Sequence, residues 1–186
     1  MKDYVGHHTC SDNGGKDFVL ENAPFLSPIV DKHPLPFLGR GYYFWDYDIV
    51  QAKKWGADHY DSNYFILEGI IGTTVDNFLD LAGDRRHMEY FLNLAKRFVR
   101  QGMKAHEWKV AKLIEFLKQV NKSNPDVFPF EIIRAQDYNI FPDPQFRMAF
   151  RDNLGYTYLN PRYVFCLIIV NDVILSGKRI IFQSKK

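Results

Sequence analysis

Two apolar, strand-like runs constrain this chain more than any other feature. They are YFILEGIIG at residues 64–72 and RYVFCLIIV at residues 162–170. Both are rich in β-branched or aromatic residues, the types that suit a pleated, half-buried surface. A long stretch of mostly helical pattern separates them. A first strand, DYVGHHTC at residues 3–10, and a second, YYFW at residues 42–45, precede them. The order is therefore strand, loop, strand, helix, strand, helices, strands. No regular βαβ alternation runs through it, and neither a G-x-G-x-x-G turn nor a Walker A loop occurs. The fold class that follows is α+β.

Local signals fill in the elements. In the first strand Tyr4, Gly6, His8 and Cys10 share one face, and Val5, His7 and Thr9 the other. SDNGGKD breaks the chain, and a short apolar element, FVLENAPFL, follows. After YYFW, Asp46 or Asp48 caps a helix with Ile49, Ala52 and Lys53 at helical spacing. Thr73 or Thr74 is expected to start a short helix, VDNFLDLAG, closed by Gly83. Two longer helices come next. Tyr90, Phe91, Leu94, Ala95 and Phe98 form one apolar stripe, Gly102 breaks the pattern, and Val110, Leu113, Ile114 and Leu117 form another. FPFEIIRAQDY predicts a strand around residues 128–134, and FPDPQFRMAFRDNLG a loop with one helical turn. The C-terminal part reads as one long strand and a shorter one ending in KRIIFQ.

Composition narrows the class. The 186 residues are 46% hydrophobic and 25% charged, which fits one globular domain spanning residues 1–186 with a helical insert at about 84–123. That insert is basic. Ten Lys/Arg between Arg85 and Lys122 face three Glu, so the segment carries +7 and the remainder −5 of a net +2. Such asymmetry suits either a phosphate-bearing partner or a solvated helical face. No run of eighteen apolar residues predicts a membrane span. The N-terminus lacks the apolar core of a signal peptide. Two distant cysteines, Cys10 and Cys166, suit a reduced, cytoplasmic protein without a disulfide framework.

Three constellations bear on chemistry. His8 and Cys10 share a strand face and could share a zinc ion, but His7 points away and the remaining histidines lack ligand spacing, so no metal is expected. Cys10 or Cys166 as a nucleophile has no local support for a thiolate. The third is GRGYYFW at residues 39–45. Its glycines allow close approach of the backbone to a ligand or a strand, and they precede stiff aromatic rings. Tyr43 and Trp45 share one face, and Tyr42 and Phe44 the other. Trp55, one helix away, could close a cleft around a flat heteroaromatic group. The alternative is an aromatic-rich strand in a core.

GHHTC on the first strand, LGRGYYFW, and then a helix bearing Ala52 and Trp55 resemble the ADP-ribosyltransferase superfamily, in its diphtheria toxin and poly(ADP-ribose) polymerase-like branch. That branch carries H-G-[ST] on its first strand and G-x-G-x-Y-F on a later one. Gly39, Gly41, Tyr43 and Phe44 match the second motif. The resemblance covers residues 3–72 best and implies a split β-sandwich with a helical insert. It implies NAD as substrate and transfer of ADP-ribose to a macromolecule, with nucleic acid, RNA in particular, favoured over protein. The first-strand histidine would bind the adenosine-side ribose. His8 fills that role if His7 takes the aromatic place before it, and His7 fills it if Thr9 takes the Ser/Thr place; the commoner pattern favours His8. Tyr43 would stack on nicotinamide with Trp55 as the second wall, and Thr9, Gly41 and Tyr42 would line the cofactor.

The family's catalytic Glu, at the start of a late strand, has no counterpart here. Arg162 or Val164 holds its place, and Arg162 is the polar one. Arg stays protonated and cannot act as a base, but it can bind phosphate or a ribose hydroxyl. Glu131 or Asp137 could supply a carboxylate from elsewhere, or the phosphates of a nucleic-acid acceptor could. The chain begins almost at its first motif. The expectation is therefore a toxin of the toxin–antitoxin or phage-defence kind, acting inside the cell that makes it and paired with a neutralising protein. The other readings are an inactive NAD- or nucleotide-binding module and a basic nucleic-acid-binding domain.

Overall fold

The computed structural model describes residues 2–28, 35–61, 63–100, 109–137, 147–150 and 155–184. Its elements run β1 (Lys2–Ser11), α1 (Gly15–Asn22), β2 (Tyr42–Asp46), α2 (Ile49–His59), β3 (Tyr64–Thr73) and β4 (Phe78–Asp80). They continue with α3 (Arg85–Arg100), α4 (Val110–Asn121), β5 (Ile132–Gln136), β6 (Arg147–Ala149), β7 (Tyr156–Tyr158), β8 (Tyr163–Leu167) and β9 (Leu175–Gln183). Seven strands form one sheet in the order β4-β5-β8-β2-β1-β3-β9, and β6 pairs with β7 separately. Only the β4–β5 pairing is parallel among the described strands, so the sheet is mixed and the class is α+β. No described helix is long and apolar enough to cross a membrane.

The sheet is curled. The rings of Tyr4 on β1 and Phe78 on β4 lie 5.6 Å apart. Four inter-strand steps separate those strands, about 19 Å in a flat sheet. The concave face encloses one core in which β4, β5, β8, β2, β3 and β9 meet, through Phe78, Ile132, Phe165, Phe44, Ile71 and Leu175. The other face carries helices. Leu113, Ile114 and Leu117 of α4 and Phe91 and Leu94 of α3 pack there on Leu79, Ile133, Val164 and Cys166. Adjacent residues Ile132 and Ile133 thus serve opposite cores, which is why β5 is buried on both sides. Arg134 ties the concave side together, donating from Nε to Asp46 Oδ2 at 2.7 Å and pairing with Asp80 at 3.4 Å.

Several elements depart from the sequence reading. Residues 75–83 do not form a helix. Thr74 N–H donates to Asn77 Oδ1 in a tight turn, and Phe78 and Leu79 then point into opposite cores as a strand must. The C-terminal strands reverse in length, five residues in β8 and nine in β9. Between them Asn171 Oδ1 accepts from the backbone N–H of Val173 and Ile174 and turns the chain early. The strand expected around 128–134 begins at Ile132, with Phe128 buried before it. FVLENAPFL is largely helix α1. Arg147–Ala149 of the expected loop pairs as a strand, Phe150 N–H donates to the Gly155 carbonyl at 3.0 Å, and residues 141–146 and 151–154 lie outside the described residues, as does Gly102.

Candidate functional site

β1 carries two adjacent histidines on opposite faces, both almost fully buried. His8 is on the concave side. Its Nδ1–H donates to the Tyr43 carbonyl at 2.8 Å, and its Nε2 accepts from the Phe25 backbone N–H at 3.1 Å. Both ring nitrogens are used, so the imidazole is neutral. Burial drives its pKa down to about 4, against the opposing effect of the Tyr43 hydrogen bond. His8 therefore straps β1 to β2 and to the chain after α1. No ring nitrogen is left for a ribose.

His7 lies on the helix-bearing face, between Trp45 of β2 and Glu68 of β3. Its Nε2 meets Glu68 Oε2 at 3.3 Å. Its Nδ1 is buried and has no hydrogen-bond partner among the described residues. Glu68 in turn accepts from Arg179 of β9, whose Nη2 is 2.6 Å from Oε1. Burial would raise the Glu68 pKa, but hydrogen bonds from Arg179 and His7 outweigh it, and the net shift is downward. Tyr47 follows β2 in the left-handed region, φ 49°, with 77% of its surface exposed. Its ring stands 6.3 Å from that of His7, nearly parallel.

The glycine motif is built differently. The Tyr43 hydroxyl donates to the Gly39 carbonyl at 2.7 Å and accepts from Leu38 N–H at 2.8 Å. Its ring packs against the α3–α4 core, and burial above all pushes the phenol's pKa far up. Gly41 brings β2 against β8: a Cβ there would collide with Cys166 Sγ and stand 2.8 Å from the Leu167 carbonyl. Its backbone N–H and C=O bind Ser27. From α4, Glu115 accepts from Arg40 N–H at 2.7 Å and Lys118 donates to the Arg40 carbonyl at 2.6 Å. Every one of these contacts is internal. The close approach that the two glycines allow is to a strand and a helix.

The remaining expected residues divide between scaffold and site. Thr9 Oγ1 donates to the Ala52 carbonyl at 2.9 Å and pins α2 to the sheet. Tyr42 packs on the concave core. Trp55 does not face Tyr43: it stacks on His59, 4.1 Å away, with its edge to Tyr60. Those partners sit at i+4 and i+5 on or just past one helix, a local geometry that outcompetes a distant wall. Arg162 reaches α2 through Gln51 Oε1 at 3.4 Å and meets Asp137 Oδ2 at 3.3 Å. Of the two carboxylates considered, Asp137 is therefore the one near Arg162, whereas Glu131 lies with Asn77. Burial raises both thiols, Cys10 and Cys166, to about 12, so neither is a thiolate at neutral pH. Among the described residues no three His, Cys, Asp or Glu group as metal ligands.

Comparison with protein-family models, with curated proteins and with solved structures returned no match.

Two groups of side chains lie toward the Tyr47 end of β2. His7 stands with Glu68, Arg179 and Tyr47, and Arg162, just before β8, stands with Gln51 and Asp137. The first offers a buried ring nitrogen without a partner among the described residues and an exposed ring, the second a cation backed by a carboxylate. Hydroxyl, phosphate and flat aromatic groups are the chemistry these side chains suit. Glu68 and Tyr47 are the residues the motif reading passed over. Glu68 carried a signal: it is the lone charge inside YFILEGIIG.

Proposed function

We propose that the protein is a NAD-dependent ADP-ribosyltransferase that transfers ADP-ribose to a macromolecule and releases nicotinamide. The curled mixed sheet and the motif order of β1, β2 and α2 support the diphtheria toxin and polymerase-like, split-sandwich reading. The observation that carries it is His7: a buried first-strand histidine with one nitrogen unsatisfied. Leaving such a group unpaired costs about 1–3 kcal/mol, and a ribose hydroxyl donating to it would remove that cost. In this reading His7, not His8, fills the family's histidine role, because both nitrogens of His8 are bound to backbone.

In the transfer, the bond between ribose C1′ and the nicotinamide nitrogen breaks and its electron pair leaves with neutral nicotinamide. An acceptor oxygen or nitrogen bonds to C1′ and gives up its proton to water. Arg162 cannot take that proton. Its guanidinium suits the pyrophosphate or an acceptor phosphate, and Asp137 beside it moderates the positive charge near the cationic ribose. The exposed ring of Tyr47 offers the flat face that Tyr43 does not. Exposed Lys96, Arg97, Lys109, Lys112 and Lys122 on and beside α3 and α4 favour a nucleic-acid acceptor, RNA before protein. Lys118 is not among them, being bound to Glu115 and Arg40.

The test is incubation with labelled NAD and cell extract. Label is expected in nuclease-sensitive material, with nicotinamide released. His7→Ala should weaken NAD binding and raise KM about 10-fold or more, the scale of removing one hydrogen-bond partner from a buried contact. Growth arrest on expression, relieved by His7→Ala and by a neutralising protein partner, is the cellular counterpart. A second reading, NAD binding without transfer, is favoured by Arg162 standing where a carboxylate belongs. Saturable NAD binding with no nicotinamide release would select it. Absence of NAD binding, with salt-dependent RNA binding intact, would sink both and leave a nucleic-acid-binding domain.

A further inference from the structure

We propose that Glu68 is a positioning residue: it fixes His7 in the Nε2–H tautomer and so makes Nδ1 the hydrogen-bond acceptor of the site. This deepens the transferase reading above and rests on it for the identity of the ligand.

A carboxylate accepts and cannot donate, so the hydrogen between His7 Nε2 and Glu68 Oε2, 3.3 Å apart, belongs to the histidine. Neutral imidazole carries one N–H, which leaves Nδ1 bare. The neighbouring His8 is held the other way, with its hydrogen on Nδ1 facing the Tyr43 carbonyl. Two consecutive histidines thus hold opposite tautomers, each set by its partner. Glu68 is itself fixed. Arg179 donates from Nε at 2.8 Å and from Nη2 at 2.6 Å, both to Oε1, leaving Oε2 for His7. Beside His7 stand Glu68 from β3, with Arg179 of β9 behind it, Trp45 from β2, and Tyr47 just after β2.

The strand pairing carries an independent sign. β3 and β9 lose register on both sides of this pair, between Ile66 and Leu67 and between Glu68 and Ile70. Gly177 on β9 turns through φ +59° in that interval. Bulges re-aim side chains and gather beside functional sites. Here they flank the register position at which Glu68 faces Arg179. Tyr47, non-glycine in the left-handed region beside the same imidazole, is a second strained position at this place.

The experiment reads the tautomer directly. Nitrogen-15 shifts of His7 in the intact protein are expected to report Nε2–H in the wild type. Glu68→Ala should abolish that preference and weaken NAD and ADP-ribose binding about 10-fold, the scale of one hydrogen bond in a buried contact. Glu68→Asp, keeping the charge, should restore part of both. His8 serves as internal control, its Nδ1–H signal unchanged if the variant is folded. An Nδ1–H wild-type His7, or a Glu68→Ala spectrum unaltered at His7, overturns the proposal. So does loss of melting temperature with ligand affinity and tautomer intact. A wild type that shows the Nε2–H tautomer but binds neither probe overturns the transferase reading instead and leaves the role of Glu68 standing.

Discussion

The two ends of β2 are made of similar residues and do opposite things. At the glycine end, Gly39, Arg40, Gly41 and Tyr43 have their backbone or hydroxyl groups bound by Ser27, Leu38, Glu115 and Lys118, and His8 takes the Tyr43 carbonyl. At the other end, Tyr47 is strained and exposed, and His7 keeps a buried nitrogen without a partner. One aromatic motif therefore contains a scaffold half and a half with unsatisfied chemistry. The motif resemblance draws attention to the strand but does not tell its two ends apart. Satisfaction of hydrogen bonds distinguishes the two.

The largest expected difference is in pH dependence at the scaffold end. His8 titrates near 6.5 when unfolded and near 4 in the folded protein. The unfolded chain therefore binds a proton that the folded one refuses in that window. Stability attributable to His8 is complete above pH 6.5 and falls as the pH drops toward 4, by roughly 3 kcal/mol in all. Denaturation midpoints of the wild type and His8→Gln, compared from pH 7 to pH 4, isolate this. A wild-type slope no steeper than that of the variant would place His8 outside the scaffold half.

Next comes the close approach at Gly41. Alanine there meets a backbone carbonyl and a buried sulfur, neither of which yields cheaply. A loss of about 1–3 kcal/mol is expected, as for other overpacked positions. Urea unfolding measures it. An unchanged midpoint would mean that β2 and β8 can part at this point, and the glycine end would lose its claim to rigidity.

Much of this division was legible in the residues, and the rest was hidden for identifiable reasons. Alternation alone separated His7 from His8, and the pair Asp46 and Asp48 bracketed the start of α2, where the Asp48 side chain accepts from Gln51 N–H at 3.0 Å. Those are local rules, and they survive folding. β4 was lost to a helix reading because three residues are too few for a period, and the Thr74–Asn77 turn that sets it is a side-chain effect. The clamp of Glu115 and Lys118 on Arg40 joins residues more than seventy apart. Spacing cannot reveal such a contact. Choosing His7 over His8 likewise needed the partners, since the motif pattern alone favoured the residue whose nitrogens prove to be occupied.

The smallest effect on stability is expected at Tyr47, and its sign is the informative part. A non-glycine residue at φ 49° stores on the order of 1 kcal/mol or more of backbone strain. Its ring, being exposed, contributes little packing in return. Three neighbours hold it there: Tyr47 N–H donates to the Val5 carbonyl at 2.9 Å, Asp46 is fixed by Arg134, and Asp48 caps α2. Tyr47→Gly should relieve the strain and raise stability by about 0.5 kcal/mol, after glycine's added freedom in the unfolded chain is counted. Over the same substitution NAD affinity should fall, because the ring beside His7 is gone. A variant that gains stability and loses ligand would mean the strain is retained for the site. One that loses stability and keeps ligand would make Tyr47 a packing residue, and the two ends of β2 would then be scaffold alike.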